Sequence, residues 1–144
     1  MATPIVIEKI FTAPINNLWS AITEKDLMKL WYFDLKEFIP EVGFVFEFMG
    51  GEEGGNQYLH RCEITEVVPE KKLVHTWIFV GYEGVSVLSF ELFSLEEKTK
   101  LILTHAGIEN FAEDNPDFAR ANFEAGWMHI INTSLNDFMN NHNF

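Results

Sequence analysis

The chain has 144 residues, 47% apolar and 15% aromatic with 14 Phe, enough for one domain with a sizeable core and too apolar for a disordered polymer. Ten basic residues against 22 acidic ones leave a formal charge of −12, which repels nucleic-acid phosphates and anionic membrane faces and argues against both as partners. The apolar runs are short, Met1 to Glu8 lacks the basic start and long apolar core of a signal peptide, and Cys62 is the one cysteine, so a soluble cytoplasmic protein without internal disulfides is expected.

Ile5 to Phe11 reads as a first strand, broken by Ala13-Pro14. Pro14 opens a short helix from Ile15 to Ile22, with Leu18, Trp19 and Ile22 on its apolar stripe. Thr23 stands three residues before Asp26, the spacing of a capping box, and predicts a second short helix to Leu30, with Leu27, Leu30 and Trp31 as its apolar side. Asp34 to Ile39 reads as a weak strand. Gly43 to Met49 reads as a strong one, with Phe44, Phe46 and Phe48 on one face and Val45 and Glu47 on the other. After a turn at Glu52 to Asn56, strands are predicted at Tyr58 to Val68, Leu73 to Val80, Val85 to Phe93 and Thr99 to Ala106. Turns around Pro69 to Lys72, Gly81 to Gly84 and Glu96 to Lys98 separate them. Gly107 to Asp114 is a longer connection. Asn115 to Phe138 then carries Phe123, Trp127, Ile130, Ile131, Leu135 and Phe138 at helical spacing, with Asn115 as cap and Pro116 at the first position.

Short turns between successive strands imply antiparallel neighbours. A long amphipathic helix must bury one face, and a sheet is the partner available. The expected fold is therefore α+β: a seven-stranded curved antiparallel sheet wrapped around a long C-terminal helix, with two short helices after the first strand, as one domain over residues 1–144. Alternation places Leu88, Phe90 and Leu92, Leu101, Leu103 and His105, and Leu73, His75, Trp77 and Phe79 toward that helix.

An ordered set of residues resembles a known family. It comprises Ala13-Pro14-Ile15 to Trp19, Trp31, Gly43 to Phe48, Glu63 to Pro69 and Leu73 to Trp77, then Ser89 to Leu92, Thr99 to His105 and Gly126-Trp127. Together these resemble single-domain proteins similar to the C-terminal domain of the heat-shock-protein-90 ATPase activator, in the START-like, helix-grip superfamily. The resemblance implies a helix-grip fold with a cavity between sheet and helix, where members of the wider superfamily bind lipids, hormones, polyketides or other apolar molecules. It implies a small apolar ligand and no cofactor, with a chaperone as an alternative partner and START-like cyclase or hydrolase chemistry as a third reading. These residues hold no counterpart of the separate N-terminal domain of co-chaperone activators, and His75 stands where the family often has Tyr or Phe.

The candidate ligand-binding residues are Phe44, Phe46, Phe48, Trp77, Phe79, Phe90, Phe123 and Trp127, with His75 and His105 as polar groups inside. Plain core packing competes for most of the aromatics, and a core imidazole bonded to backbone competes for each His. Glycine inside a helix costs about 1 kcal/mol relative to alanine, so Gly126 implies close approach to the sheet, the first expectation, or room for a ligand beside Trp127. Arg61 and Glu63 are expected outward as an exposed cross-strand pair. His60 and Cys62 share a face, but no third residue has ligand spacing, so no metal is expected and Cys62 reads as a small buried hydrophobe. Glu109, Glu113, Asp114 and Asp117 crowd the start of the last helix, where negative charge suits the helix dipole. Catalysis would need His75, His105, Tyr58 or Arg61 to converge in the cavity. No nucleophile elbow, phosphate loop or dinucleotide fingerprint is present, and no catalytic residue is assigned.

Overall fold

The computed structural model describes residues 3–51, 54–112 and 114–144. Glu52 and Glu53 of the expected turn, and Glu113 of the acidic group, lie outside the described residues. Strand β1 (Ile5–Phe11) is followed by helices α1 (Ile15–Thr23) and α2 (Lys25–Trp31). Strands β2 (Val45–Gly51), β3 (Gln57–Val68), β4 (Lys72–Phe79), β5 (Ser86–Leu95) and β6 (Lys98–Ala106) come next, then helices α3 (Arg120–His129) and α4 (Asn136–Asn141). All neighbouring strands are antiparallel, in the order β1-β6-β5-β4-β3-β2. None of the described helices is long and apolar enough to cross a membrane.

Among the described residues the sheet has six strands, not seven. The expected strand at Asp34 to Ile39 is an irregular strap. Its buried residues are Leu35 and Phe38, three apart, while Asp34, Lys36 and Glu37 face solvent. A strand would bury every second residue. Two apolar anchors at the wrong spacing, followed by Pro40, hold this segment onto the core without a ladder.

The curvature has a local cause. On β3, Ile64 pairs with His75 and Glu66 with Val74, so Thr65 is an extra residue against β4. Such a bulge bends and twists its strand. It also shifts the phase: His60, Cys62 and Ile64 point inward before it, and Val67 packs on the core after it. The inward sets of β4, β5 and β6 are buried as alternation predicts, including the Trp77 phase.

The small helices differ from expectation in their ends and faces. Thr23 closes α1, with Oγ1 donating to Trp19 O at 2.6 Å, and makes no capping box. In α2 the buried side is Met28 and Trp31, while Leu30 is 57% exposed. Trp31 sets this phase because its Nε1 donates to Ala21 O at 2.9 Å, which fixes α2 against α1.

The C-terminal helix starts later than expected. Asn115 Oδ1 accepts from Asp117 N at 2.9 Å, but this caps only a single 3₁₀ turn, Pro116–Phe118. Ala119 is extended, and α3 begins at Arg120. From there helical backbone continues to Asn141 through a π-helical stretch, Ile130–Leu135. Its buried residues are Phe123, Trp127, Ile131, Leu135 and Met139, four apart each time. At about 100° per residue a four-residue stripe drifts about 40° each step around an α-helix. The wider i→i+5 turn reduces that drift and keeps the stripe aimed at the sheet. Phe138 is accordingly half-buried and Met139 takes the core position.

The strap reading is testable. Phe38→Ala should lose about 3–5 kcal/mol, whereas Ile39→Ala, at a position that an alternating strand would bury with Leu35, should cost clearly less, both measured by urea unfolding. A larger cost at Ile39 than at Phe38 would restore the strand.

Candidate functional site

The helix is tied to the sheet by one buried polar chain. Trp127 Nε1 donates to His105 Nδ1 at 2.9 Å. His105 Nδ1 is therefore an acceptor, so in the neutral ring the proton sits on Nε2, which donates to Ser86 Oγ at 2.7 Å. Ser86 Oγ in turn donates to Trp77 O at 3.3 Å. Every link is buried. Burial pushes the His105 imidazole down to about 3, with the nearby His75 adding to the shift. His75 Nδ1 donates to Thr76 O at 2.8 Å, and burial holds that ring down at about 4.

Beside this clamp lies a cavity of about 410 Å³. Its sheet side is Gly50, Tyr58, His60, Trp77 and Phe79, its helix side Asn122, Phe123, Ala125, Gly126, Trp127, His129 and Ile130, and Phe33, Gly51, Asn56 and Asp117 complete it. Four of the ten candidate residues meet here: Trp77, Phe79, Phe123 and Trp127. The other six do not line it. Phe46, Phe48, His75 and Phe90 are buried behind the wall, His105 is held in the clamp, and Phe44 is half-buried ahead of β2.

Gly126 overturns the expectation of close packing. A Cβ built there meets nothing within 4 Å. The residue opens the helix side of the cavity instead. Gly50 is the opposite case: a Cβ would meet His60 Cε1 and Phe33 Cε1 at 3.1 Å each. Glycine at that strand position lets these two rings close in.

The wall is mostly ring faces and edges. The His60 ring lies on Phe48 at 4.7 Å and meets Trp77 edge-on at 4.9 Å. Trp77 and Trp127 cross at 5.4 Å and 68°. Burial lowers His60 to about 4, and its Nδ1 donates to Tyr58 O at 2.9 Å. Trp77 Nε1 is buried and has no hydrogen-bond partner. The same is true of Tyr32 Oη, whose proton burial holds firmly.

A polar cluster sits at one end of the cavity. Tyr58 Oη donates to Asp117 Oδ2 at 2.5 Å, Asn56 Nδ2 donates to the same oxygen at 3.3 Å, and Asn115 Nδ2 donates to Tyr58 Oη at 3.5 Å. The bond to Asp117 raises the Tyr58 phenol above its ordinary value. Asp117 thus serves this cluster, while α3 starts beyond it. Arg61 faces solvent and pairs with Glu47 at 2.7 Å across β2 and β3, not with Glu63. His75, His105, Tyr58 and Arg61 therefore do not converge. Among the described residues no three His, Cys, Asp or Glu side chains gather to hold a metal. Cys62 is fully buried, and burial raises its thiol.

Phe33, Asn56, Asn122 and His129 carried no site signal in the sequence, while Asp117 was read as helix-start charge and Ile130 as part of the helix stripe. The usable hints were the paired Gly50-Gly51 inside a strand pattern, which marks close approach, and Ala125-Gly126 inside a helix pattern.

A sheet curled on one helix with an aromatic cavity between them defines a helix-grip protein. The family model described as "Activator of Hsp90 ATPase homolog 1-like protein" matches residues 12–140, and the chain belongs to that family. Among solved structures, a protein of Mesorhizobium loti is 25% identical, with a TM-score of 0.77, over 98% of this chain and 99% of the other. The Aha1 dimer of Colwellia psychrerythraea is 22% identical, with a TM-score of 0.72, over 96% of each chain. A protein of Chromobacterium violaceum reaches a TM-score of 0.80 at 17% identity, over 99% and 100%. Among curated proteins, none matches this sequence closely enough to count as a relative.

Two outcomes follow from the buried imidazoles. Ser86→Ala leaves His105 Nε2–H without its acceptor and should cost about 1–3 kcal/mol in urea unfolding. His60, His75 and His105 have folded values below the unfolded value of about 6.5. Above that pH they are neutral in both states. As pH falls, the unfolded chain takes up protons that the folded chain refuses. Stability should drop by up to about 1.4 kcal/mol per pH unit for each ring, levelling near the folded values. His75→Phe should make this acid slope shallower in melts over a pH series, and an unchanged slope would refute its neutral burial.

Proposed function

We propose that this protein binds a small hydrophobic molecule in the cavity between the sheet and the C-terminal helix. The observation that carries the reading is the aromatic cavity of about 410 Å³ opened by Gly126. Its size lies within the roughly 300–1,000 Å³ of ligand pockets, and it combines apolar walls with a few polar groups. Trp77, Phe79, Phe123 and Trp127 would touch the ligand. Phe44, Phe46, Phe48, His75, Phe90 and His105 would support that wall. Binding is favoured over turnover because the two core imidazoles already spend their N–H groups on Thr76 O and Ser86 Oγ. An Hsp90-directed role, the family's namesake, would act through the surface, whereas the observations converge on the cavity.

The test uses the neutral fluorophore N-phenyl-1-naphthylamine. Gly126→Leu should fill the cavity and weaken its binding by roughly tenfold or more, while the far-UV circular dichroism stays native. Gly126→Ala should instead stabilise the fold by about 0.5–1 kcal/mol, through helix propensity. Undiminished dye binding by a folded Gly126→Leu protein would place the dye elsewhere and end the proposal.

A further inference from the structure

We infer that the cavity prefers an apolar aromatic amine in its protonated form, with the ring system among the aromatic walls and the ammonium against Asp117, and that it disfavours carboxylates; this rests on the ligand-binding reading above.

Three observations carry it. First, the polar end holds a carboxylate fixed from several sides. Asp117 N donates to Asn115 Oδ1 at 2.9 Å, and Asn122 Nδ2 donates to Asp117 O at 2.9 Å. Tyr58 Oη and Asn56 Nδ2 both donate to Asp117 Oδ2. The acid, these two donors and Asn122 all line the cavity, and Asp117 is half-buried rather than closed off. A carboxylate has about four lone-pair sites, so two neutral donors leave it able to accept more. An ammonium supplies both a further donor and the opposite charge.

Second, no fixed cation already answers that acid. Among the described residues the lining includes no Lys or Arg, and no ion pair involves Asp117. Arg120, the nearest cation along the chain, turns to Glu124 and to the carbonyls of Thr3 and Pro4. Burial holds His60 neutral, and His129 is exposed at the far end of α3. The molecule carries a net charge of −12. An incoming carboxylate meets like charge and no counter-ion, whereas an ammonium meets its opposite.

Third, the walls suit the rest of such a molecule. His60, Trp77, Phe79, Phe123 and Trp127 line the cavity with rings. Ring faces and edges pack well against a flat ring system, and the faces of Trp and Phe also attract a nearby cation. Tyr58 and Asp117 are half-buried. A charge placed beside them keeps part of its water while the hydrocarbon goes inward, which limits the cost of desolvation.

The test compares three probes of one ring system by calorimetry on the full chain: 2-(2-naphthyl)ethylamine, 2-(2-naphthyl)ethanol and 2-naphthylacetate, near neutral pH where the amine is protonated. The amine should bind roughly tenfold tighter than the alcohol, as one ion pair beside aromatic faces allows, and the acetate should bind weakest. Asp117→Asn should bring amine and alcohol affinities together. Glu97→Gln removes the same charge at the β5–β6 turn, the opposite end of that hairpin from Ser86, and should keep the preference. In wild type, the Asn56 side-chain amide resonances should move more on amine than on alcohol binding, a readout that needs no variant to fold. Equal amine and alcohol affinities in wild type, or unmoved Asn56 resonances, would overturn the inference and leave a ligand site standing. So would a preference that survives in folded Asp117→Asn, one lost equally in Glu97→Gln, or acetate binding as well as the amine. Failure of all three probes to bind would overturn the ligand-site reading itself.

Discussion

The structure depends on a hydrogen bond between an indole and an imidazole in a dry interior. Trp127 donates to His105, which passes its own proton to Ser86, and Ser86 closes onto the backbone of Trp77. Each donor in that chain has an acceptor, so a polar path crosses the core without an orphan. The path joins α3 to β5, β6 and β4 at one point. It fixes where the helix sits, and burial keeps His105 neutral. Apolar burial by Ile131, Leu135 and Met139 supplies area but no direction. The directional bond decides the height and rotation at which the helix is held.

The cavity is a consequence of that placement. With Trp127 anchored, the helix side of the cavity also includes Ala125, Gly126 and His129, and its sheet side includes Gly50. Too little side-chain volume is available to fill the gap. Trp77 is caught between the clamp and the cavity. Its carbonyl is satisfied by Ser86 and its indole N–H is not. The helix also widens into a π turn from Ile130, a residue that lines the cavity. Such turns recur at functional sites, and here the widening begins where the helix leaves the cavity for the fully packed part of the core.

Some of this was readable in the residues. Alternation located the inner faces of β4, β5 and β6, because side-chain direction in a strand follows from local geometry alone. The four-residue stripe from Phe123 marked the buried side of the last helix. The strap was misread because Asp34 to Ile39 is apolar enough for a strand, although its anchors Leu35 and Phe38 stand three apart and it has no ladder partner. The bulge at Thr65 was invisible because it is a mismatch between two strands, and neither strand shows it alone. Asn115 does cap a turn, but the sequence does not say that the turn is a single one. Among the candidate residues, Trp77, Phe79, Phe123 and Trp127 reached the cavity, while Phe46, Phe48 and Phe90 became the core behind it. All of these share inward-facing, aromatic character, so pattern could not separate wall from backing.

What the sequence determined by itself was element type, facing and family. These depend on periodicity, turn chemistry and ordered local motifs, all of which act over a few neighbouring residues. What the tertiary structure decided was the void and its polarity. Gly126 is open rather than crowded, Asp117 turns toward Tyr58 and Asn56, and the Trp77 donor is left unpaired. Each of these is a relation between segments far apart in the chain. A cavity is the space that several packed segments fail to fill, and no single segment encodes its own absence of a neighbour.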